Sequence, residues 1–254
     1  MTTATFDDHA AGYDAVAMSR VGREYRTRVH HVVTSFIDAT SCVLDLGCGT
    51  GIDTAWLTTI AHSVHAIDPA VEMVAAATSR TATAENVTVA KGGIASVVGE
   101  ACFDVVLANF GAINCVTSVE STGRHIARVL RPGGQAVLVT MPRVSPIERL
   151  AAIMGRDRER WGRRVNGPTA VAGYEGLTLT YADADQLAEA MPDLQLMSAQ
   201  SLGLVLPGFE YRQLLEDRPR TTALLARLDQ LVSGVGGRVG WGDHIVAVFQ
   251  KPSP

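Results

Sequence analysis

The chain has 254 residues, of which 47% are hydrophobic and 19% charged, and its formal net charge is -4. That length and apolar fraction are sufficient for one large α/β domain. The negative charge disfavours a non-specific nucleic-acid binder, and no run reaches the roughly 18 apolar residues of a membrane span. Since no basic and then apolar leader begins the chain, we expect a cytoplasmic protein without nucleic-acid or membrane partners. Four cysteines without a C-x-x-C pair, and no histidine at zinc spacing, predict no metal site.

The first 40 residues contain a helical pattern. Phe6 and Tyr13 lie seven residues apart, as in the apolar stripe of a surface helix. A second interpretation, in which this segment folds over a ligand, depends on the motif that follows.

That motif is an apolar strand that ends in a glycine loop. Residues 43–51 read Val-Leu-Asp-Leu-Gly-Cys-Gly-Thr-Gly, with Gly47, Gly49 and Gly51 at alternate positions and Asp45 before the first of them. Glycines let the backbone turn sharply and approach a ligand closely, and the next helix presents free N–H groups. The spacing is G-x-G-x-G and differs from the G-x-G-x-x-G of dinucleotide-binding proteins.

A second acidic residue follows at the end of the next predicted strand. Residues 52–61 have helical periodicity, residues 62–67 form a second predicted strand, and Asp68 and Pro69 stand at its carboxyl end. Ligands of open α/β sheets bind at that edge, where a carboxylate accepts hydrogen bonds from a ribose diol. The alternative for Asp68 is the cap of the next helix.

These residues resemble motif I and the following acidic position of class I S-adenosylmethionine (SAM) methyltransferases. Residues 87–94, 103–111 and 130–134 resemble later blocks of the same family, so that the resemblance covers about residues 41–141. It implies that SAM is the cofactor, and that the residues holding it are Tyr13, Asp45, Gly47, Cys48, Gly49, Gly51, Asp68, Pro69, Met73, Gly93, Ile94, Asn109 and Phe110. Relatives often place an aspartate where this chain has Gly93, so we expect backbone groups near Gly93 and Ile94 to hold the adenine.

The predicted fold is a Rossmann-like, doubly wound α/β sheet of seven strands with helical cap insertions, because strands and helices alternate from residue 41 to 141. The resemblance implies that the seventh strand is antiparallel. The predicted parts of this single domain are a helical lid (1–40), the SAM-binding core (41–141), a cap insertion (142–192) and the last two strands with an inserted helical segment (193–254). Residues 234–240 are rich in glycine and are interpreted as a flexible connector.

Two residues are candidates for catalysis. An antiparallel seventh strand begins at the ligand edge and would bring His244 there as a general base. Asn114 follows the fourth strand and would orient a substrate, although an asparagine that stabilises a turn fits equally well. Arginines of residues 149–164 are interpreted as a solvated helix face with i,i+4 pairs, with recognition of an anionic substrate as the alternative.

The sequence therefore predicts a SAM-dependent methyltransferase that acts on a small-molecule metabolite, with oxygen as the first choice of acceptor and nitrogen or carbon as the others. Two alternatives remain: a protein that uses SAM for other chemistry, and a non-catalytic SAM sensor. The loop spacing disfavours a nicotinamide-dependent oxidoreductase. The sequence does not distinguish a monomer from a homodimer.

Overall fold

The computed structural model describes residues 10–157, 161–170 and 178–253. Its strands are β1 (Cys42–Leu46), β2 (Ser63–Asp68), β3 (Val87–Lys91), β4 (Phe103–Ala108), β5 (Leu130–Thr140), β6 (Thr169–Ala170), β7 (Thr178–Leu179), β8 (Gln195–Leu202) and β9 (His244–Gln250). Its α-helices are α1 (Ala10–Ala17), α2 (Arg20–Thr34), α3 (Ile52–Leu57), α4 (Val71–Arg80), α5 (Val119–Val129), α6 (Pro146–Gly155), α7 (Ala184–Ala190) and α8 (Pro219–Arg238). Short 3₁₀ turns span Ile94–Ser96, Ile113–Cys115 and Phe209–Leu214.

Seven strands form one sheet in the order β3-β2-β1-β4-β5-β9-β8. Strands β1 to β5 pair in parallel, and β9 runs antiparallel to both β5 and β8. The predicted doubly wound sheet and its antiparallel last strand are confirmed. The strand order reverses between β1 and β4, and the carboxyl ends of strands at such a switch point form the ligand crevice of open α/β sheets.

Apolar residues on both faces of the sheet form two cores. In β9, Ile245 packs into a core with Ile126 of α5 and Leu187 of α7, whereas its neighbour Val246 packs with Tyr25 of α2 and Leu57 of α3. Because consecutive strand residues point to opposite faces, strands that are covered on both sides read as continuous apolar runs.

Several predicted boundaries differ from the structure. The third helix ends at Leu57 and not at residue 61. Strand β8 ends at Leu202, whereas the sequence pattern predicts a strand over residues 194–206; Gly203 turns the chain there with a φ of +78°. Strand β5 already begins at Leu130. Residues 130–134, which the family resemblance implies are the turn before the fifth strand, are therefore part of the strand, with a register shift opposite Phe103. The pair β6 and β7 was not predicted.

The glycine-rich segment 234–240 is not a connector, and that prediction was wrong. Residues up to Arg238 continue α8, and this helix packs directly on β8. A Cβ atom at Gly237 would lie 2.1 Å from the carbonyl oxygen of Ala199, and one at Gly236 would lie 2.3 Å from Ser201 Oγ. The glycines therefore allow a helix to approach a strand closely.

Among the described residues, no helix combines the length and the apolar character needed to cross a membrane.

Replacement of Gly51 by alanine is expected to lower the free energy of unfolding. Gly51 has a φ of +78°, and its Cβ would lie 2.8 Å from Cα and Cβ of Ala77 in α4. Backbone strain and overpacking at such a site cost about 1 to 3 kcal/mol. Urea unfolding of Gly51→Ala measures this loss.

Gly93→Ala is the matched control. Its φ is -110°, and a Cβ there would meet no atom within 4 Å. An unchanged unfolding midpoint for Gly51→Ala, or an equal loss for both variants, would contradict this account of the loop.

Candidate active site

The loop between β1 and α3 forms the centre of the switch point. Gly47, Gly49 and Gly51 all lie in the left-handed region, with φ of +73°, +54° and +78°. A Cβ at Gly47 would lie 2.6 Å from Cβ of Ala112, which follows β4. Cys48 is buried within the loop, and burial raises the pKa of its thiol. The loop therefore brings bare backbone to the sheet edge and holds its cysteine as a neutral thiol.

Asp68 at the end of β2 is tied to this loop. Its Oδ2 accepts a 2.9 Å hydrogen bond from the backbone N–H of Gly49, and its Oδ1 accepts one of 2.9 Å from Ala70 at the start of α4. Pro69 is exposed, whereas Met73 is buried in the first turn of α4. The structure thus connects the glycine loop after β1 with the aspartate at the end of β2, the two motifs that were identified from the sequence.

The predicted adenine turn lies beside Asp68. The N–H of Gly92 donates a 3.0 Å hydrogen bond to the backbone oxygen of Asp68. Gly93 is exposed and Ile94 is buried at the start of a 3₁₀ turn. Backbone groups and one apolar side chain are therefore next to the Asp68 carboxylate at the ends of β2 and β3.

Asp45 is buried beneath the loop. Its Oδ2 accepts a 2.6 Å hydrogen bond from Thr54 Oγ1, which fastens α3 to β1. Burial, together with the charge of Asp53, raises the pKa of Asp45 to about 7. This carboxyl therefore changes protonation near neutral pH.

Helix α1 is fastened over the glycine loop. The ring of Tyr13 lies against Gly49, since a Cβ at Gly49 would be 3.6 Å from Tyr13 Cε1. Asp14 accepts a 2.6 Å hydrogen bond from Thr50 Oγ1 and forms an ion pair with Arg80 of α4. Burial raises the pKa of Tyr13, against the opposing charge of Arg26. Phe6, the other aromatic residue of the predicted lid, lies outside the described residues.

Asp53 joins α2, α3 and the end of β4 through a buried polar cluster that the sequence analysis missed. Its Oδ1 lies 2.7 Å from His30 Nε2 and 3.2 Å from Arg26 Nε, and its Oδ2 accepts a 2.8 Å hydrogen bond from the amide of Asn109. Burial alone would raise the pKa of Asp53, but His30 and Arg26 lower it. The predicted ligand residue Asn109 is therefore already bonded to the protein. The i,i+4 spacing of Arg26 and His30 indicates that both side chains share one face of α2, although nothing in the sequence shows that this face packs against the loop.

Phe110 follows Asn109 and carries the Arg26 guanidinium over its ring. The distance from Arg26 Cζ to the ring centroid is 4.9 Å. Phe110 has a φ of +41°, unusual for a residue with a bulky side chain. Nε and Nη1 of Arg26 are buried and have no hydrogen-bond partner within the described parts of the chain.

The side-chain amide of Asn114 is fully hydrogen-bonded within the fold. Its amide donates to the backbone oxygens of Met141 at 3.1 Å and Thr180 at 2.7 Å, while its Oδ1 accepts from the N–H of Met141 at 2.9 Å and from Thr140 Oγ1 at 3.3 Å. An asparagine has two amide hydrogens and two oxygen lone pairs. Because the fold uses all of them, Asn114 joins the ends of β5 and β7 and has no group left for a substrate.

His244 lies among aromatic rings at the start of β9. Its ring centroid is 5.5 Å from that of Phe110, 5.6 Å from that of Phe209 and 6.2 Å from that of Tyr25. His244 Nδ1 lies 3.0 Å from Asp243 Oδ2. No hydrogen-bond partner of Nε2 occurs in the described residues. The antiparallel strand thus brings this histidine next to the residue that follows β4.

Arg164 binds the second oxygen of the Asp243 carboxylate, the one that does not contact His244. Its Nη2 donates a 3.0 Å hydrogen bond to Asp243 Oδ1, and its Nε donates one of 2.7 Å to Glu148 of α6. Burial would raise the pKa of Asp243, but His244 and Arg164 lower it to about 2. Arg163 pairs with Glu148 and Glu210. These two arginines form long-range ion pairs. The i,i+4 pairs predicted for a solvated helix face involve residues 158–160, which lie outside the described residues.

A separate groove of about 640 Å³ lies between α2 and α8 over β8 and β9. Ser198 and Gln200 line it from β8, and Arg227 lines it from α8. It shares none of the residues described above, so the switch point and this groove are different features of the surface.

Residues 43–134 match the family model described as a methyltransferase domain. They include the glycine loop, Asp68, the Gly93 turn and Phe110. This segment is therefore similar to a methyltransferase domain. No curated protein matches the chain.

Solved structures share the fold across the chain. The putative methyltransferase of Haloferax volcanii, solved in complex with the Trm112 methyltransferase activator, has a TM-score of 0.64 at 18% identity and covers 99% of this chain and 100% of its own. A SAM-dependent methyltransferase from Mesorhizobium loti has a TM-score of 0.58 at 19% identity, with coverage of 85% and 92%. Geranyl diphosphate C-methyltransferase from Streptomyces coelicolor, solved with S-adenosylhomocysteine, has a TM-score of 0.58 at 11% identity, with coverage of 89% and 78%. At these identities the solved structures show a shared fold, and the family model marks residues 43–134 as similar to a methyltransferase domain.

Asp45→Asn is expected to change how the stability of the protein depends on pH. A carboxyl whose pKa is raised to about 7 keeps its proton in the native state at pH values where the unfolded chain has lost it, so stability falls as pH rises from about 4 to about 7. The variant carries no ionisable group there. The difference in unfolding free energy, variant minus wild type, should therefore be larger at pH 8 than at pH 5.

Urea unfolding at both pH values measures this difference, with the exposed Asp193→Asn as control. A difference for Asp45→Asn that is the same at both pH values would show that this carboxyl does not titrate as described.

Proposed function

We propose that the protein is a SAM-dependent methyltransferase that transfers a methyl group to an oxygen atom of a small-molecule metabolite, with His244 as the general base. The observation that carries this proposal is the buried Asp243–His244 pair, in which Nδ1 lies 3.0 Å from the carboxylate and the ring contacts Phe110 at the switch point. A hydroxyl group must lose its proton to become a good nucleophile, and a histidine oriented by a carboxylate is suited to accept it.

The residues present fit the cofactor. The three left-handed glycines keep the loop in a tight turn against Ala112, Tyr13 and Ala77, with its backbone beside the Asp68 carboxylate. In this proposal the Asp68 carboxylate binds the ribose hydroxyls, the backbone near Gly93 and Ile94 binds the adenine, and Tyr13 covers the loop from α1. When bound, SAM supplies a methyl group that is already activated by its sulfonium.

The protein's own residues act mainly on the acceptor. Nε2 of His244 takes the hydroxyl proton, while the Nδ1 proton stays on the hydrogen bond to Asp243. Asp243 remains ionised because its pKa is about 2, so it favours the protonated imidazole that forms. Positioning of donor and acceptor is the larger effect, which can contribute roughly 7 to 11 kcal/mol.

The surroundings of His244 support a small acceptor. Phe110 and Phe209 are half-buried and stand edge to face at a centroid distance of 5.4 Å. Helix α1 covers the loop, and Arg164 ties the segment after α6 to β9. Such enclosure excludes water and bulky partners. The geranyl diphosphate enzyme, which shares the fold, is named for a small substrate. The cytoplasmic location and the absence of nucleic-acid and membrane partners stay predictions.

His244→Gln is expected to lower kcat by about 10²- to 10⁴-fold, with an unchanged affinity for S-adenosylhomocysteine. Incubation with methyl-labelled SAM and fractionated metabolites first identifies an acceptor. The kcat of the wild type should then rise with pH as one group loses its proton, because the base must be neutral. The variant should lack this rise.

The exposed His31→Gln on α2 is the control and should keep the wild-type profile. If His244→Gln retained both kcat and the wild-type pH dependence, His244 would not be the base.

A further inference from the structure

Helix α8 carries its large apolar side chains on the side that faces solvent. The residues that it buries against the sheet are small or polar: Thr222, Ala226, Asp229, Ser233, Gly236 and Gly237. The large apolar residues on its outer side are 42 to 81% exposed: Leu224, Leu228, Leu231 and Val235. A surface helix of a globular protein normally has the opposite arrangement, with its apolar stripe against the core. The outer side of α8 therefore indicates a contact outside the chain.

The four exposed side chains form one continuous stripe, the α8 ridge. They are separated by four, three and four residues, the spacing at which side chains of a helix share a face. Val239 and Trp241, which directly follow the helix, are about half exposed and extend the apolar sequence. A contiguous exposed apolar patch marks a site of interaction with another protein or with a membrane.

The exposed charges of α8 are all positive. Arg220, Arg227 and Arg238 are exposed, and their separations of seven and eleven residues place them along one edge of the α8 ridge. None of them forms an ion pair with another described residue. Asp229, the acidic residue of this helix, is buried and paired with Arg28. The ridge is therefore bordered by positive charge that the fold does not neutralise.

An anionic lipid surface matches both the ridge and its charged edge. A helix that lies in the plane of a membrane has leucines on one face and arginines beside them, and its binding combines apolar burial with attraction by acidic headgroups. Arginine side chains are suited to such an edge because their stems cover apolar surface while their charges stay at the headgroups. A second copy of the chain matches less well, because its α8 would bring the same arginines and no exposed acidic residue.

We infer that the α8 ridge binds the protein to an anionic lipid bilayer, with the helix in the plane of the bilayer surface. This inference replaces the sequence-based prediction of no membrane partner, which rests on net charge and on the length of apolar runs. Net charge averages over the chain and hides one helix face with only positive exposed charges, and a helix that lies on a bilayer needs no membrane-spanning run. The inference is independent of the SAM site.

The test is co-sedimentation of the full chain with two kinds of vesicle. One kind is pure phosphatidylcholine, and the other contains equal parts of phosphatidylcholine and anionic phosphatidylglycerol. The wild type should bind the anionic vesicles at least about 10-fold more tightly. Arg220→Gln combined with Arg227→Gln should weaken that binding about 30-fold, since each arginine near an anionic surface contributes about fivefold. Leu231→Gln should weaken it about 10-fold through the loss of apolar burial.

The matched controls change an exposed arginine and an exposed leucine on other helices. Arg124→Gln lies on α5, across the sheet from α8, and Leu150→Gln lies on α6. Both should bind the anionic vesicles like the wild type. Absence of wild-type binding, equal binding to both kinds of vesicle, or an equal loss in the ridge variants and the controls would overturn the inference.

Sedimentation equilibrium without lipid distinguishes a membrane from a second copy as the partner of the ridge. The wild type and Leu231→Gln should have the same mass in solution, because no protein contact covers Leu231. A wild-type dimer that becomes a monomer in Leu231→Gln would show that a second copy covers the ridge, and this result would also overturn the inference.

Discussion

The reversal of strand order between β1 and β4 is the constraint on which the rest of the site depends. Strands on either side of it send their following loops in different directions and leave a crevice at the sheet edge. In this chain the crevice is lined by the glycine loop after β1, Asp68 after β2 and Phe110 after β4. The hydrogen bond from Gly49 to Asp68 joins two of these segments directly, 2.9 Å long and shielded from solvent by the burial of Asp68. Loop and carboxylate are therefore held in one arrangement before any ligand arrives.

Two further polar groups connect this edge to the helices around it. Asp53 joins α2 to α3 and to Asn109, and Asp14 joins α1 to Thr50 and Arg80. Near His244, the ion pairs of Arg164 with Glu148 and Asp243 link α6 to the residue that precedes β9. Each link has a partially or fully buried carboxylate with several donors, the condition under which a buried charge is tolerated. As a result, three separate polar groups fasten α1, α2 and α6 around the carboxyl edge of the sheet.

The sequence allowed those features to be predicted that depend on local spacing. Three alternate glycines after an apolar strand predict a tight loop, and an aspartate at the end of the next strand is placed at the same sheet edge. The alternation of strand and helix patterns predicts a sheet covered on both faces. The Asp53 cluster was not predictable in this way, because it depends on which face of α2 meets the loop. From the sequence, Asn114 could equally orient a substrate or stabilise a turn. Only the packing of β5 and β7 shows that its amide is fully hydrogen-bonded within the fold. The glycines at 236 and 237 were misinterpreted because a glycine run that permits close helix packing has the same composition as a flexible connector.

The measurement that tests the central claim most directly is the titration of wild type and Asp68→Ala with SAM and with NAD, alongside the exposed Asp193→Ala. A site at the β1/β4 switch point with a ribose-binding carboxylate predicts micromolar binding of SAM to the wild type and to Asp193→Ala, loss of that binding in Asp68→Ala, and no comparable affinity for NAD. Tight binding of NAD, or SAM binding that is unaffected in a folded Asp68→Ala variant, would contradict the claim that this edge of the sheet is the SAM site.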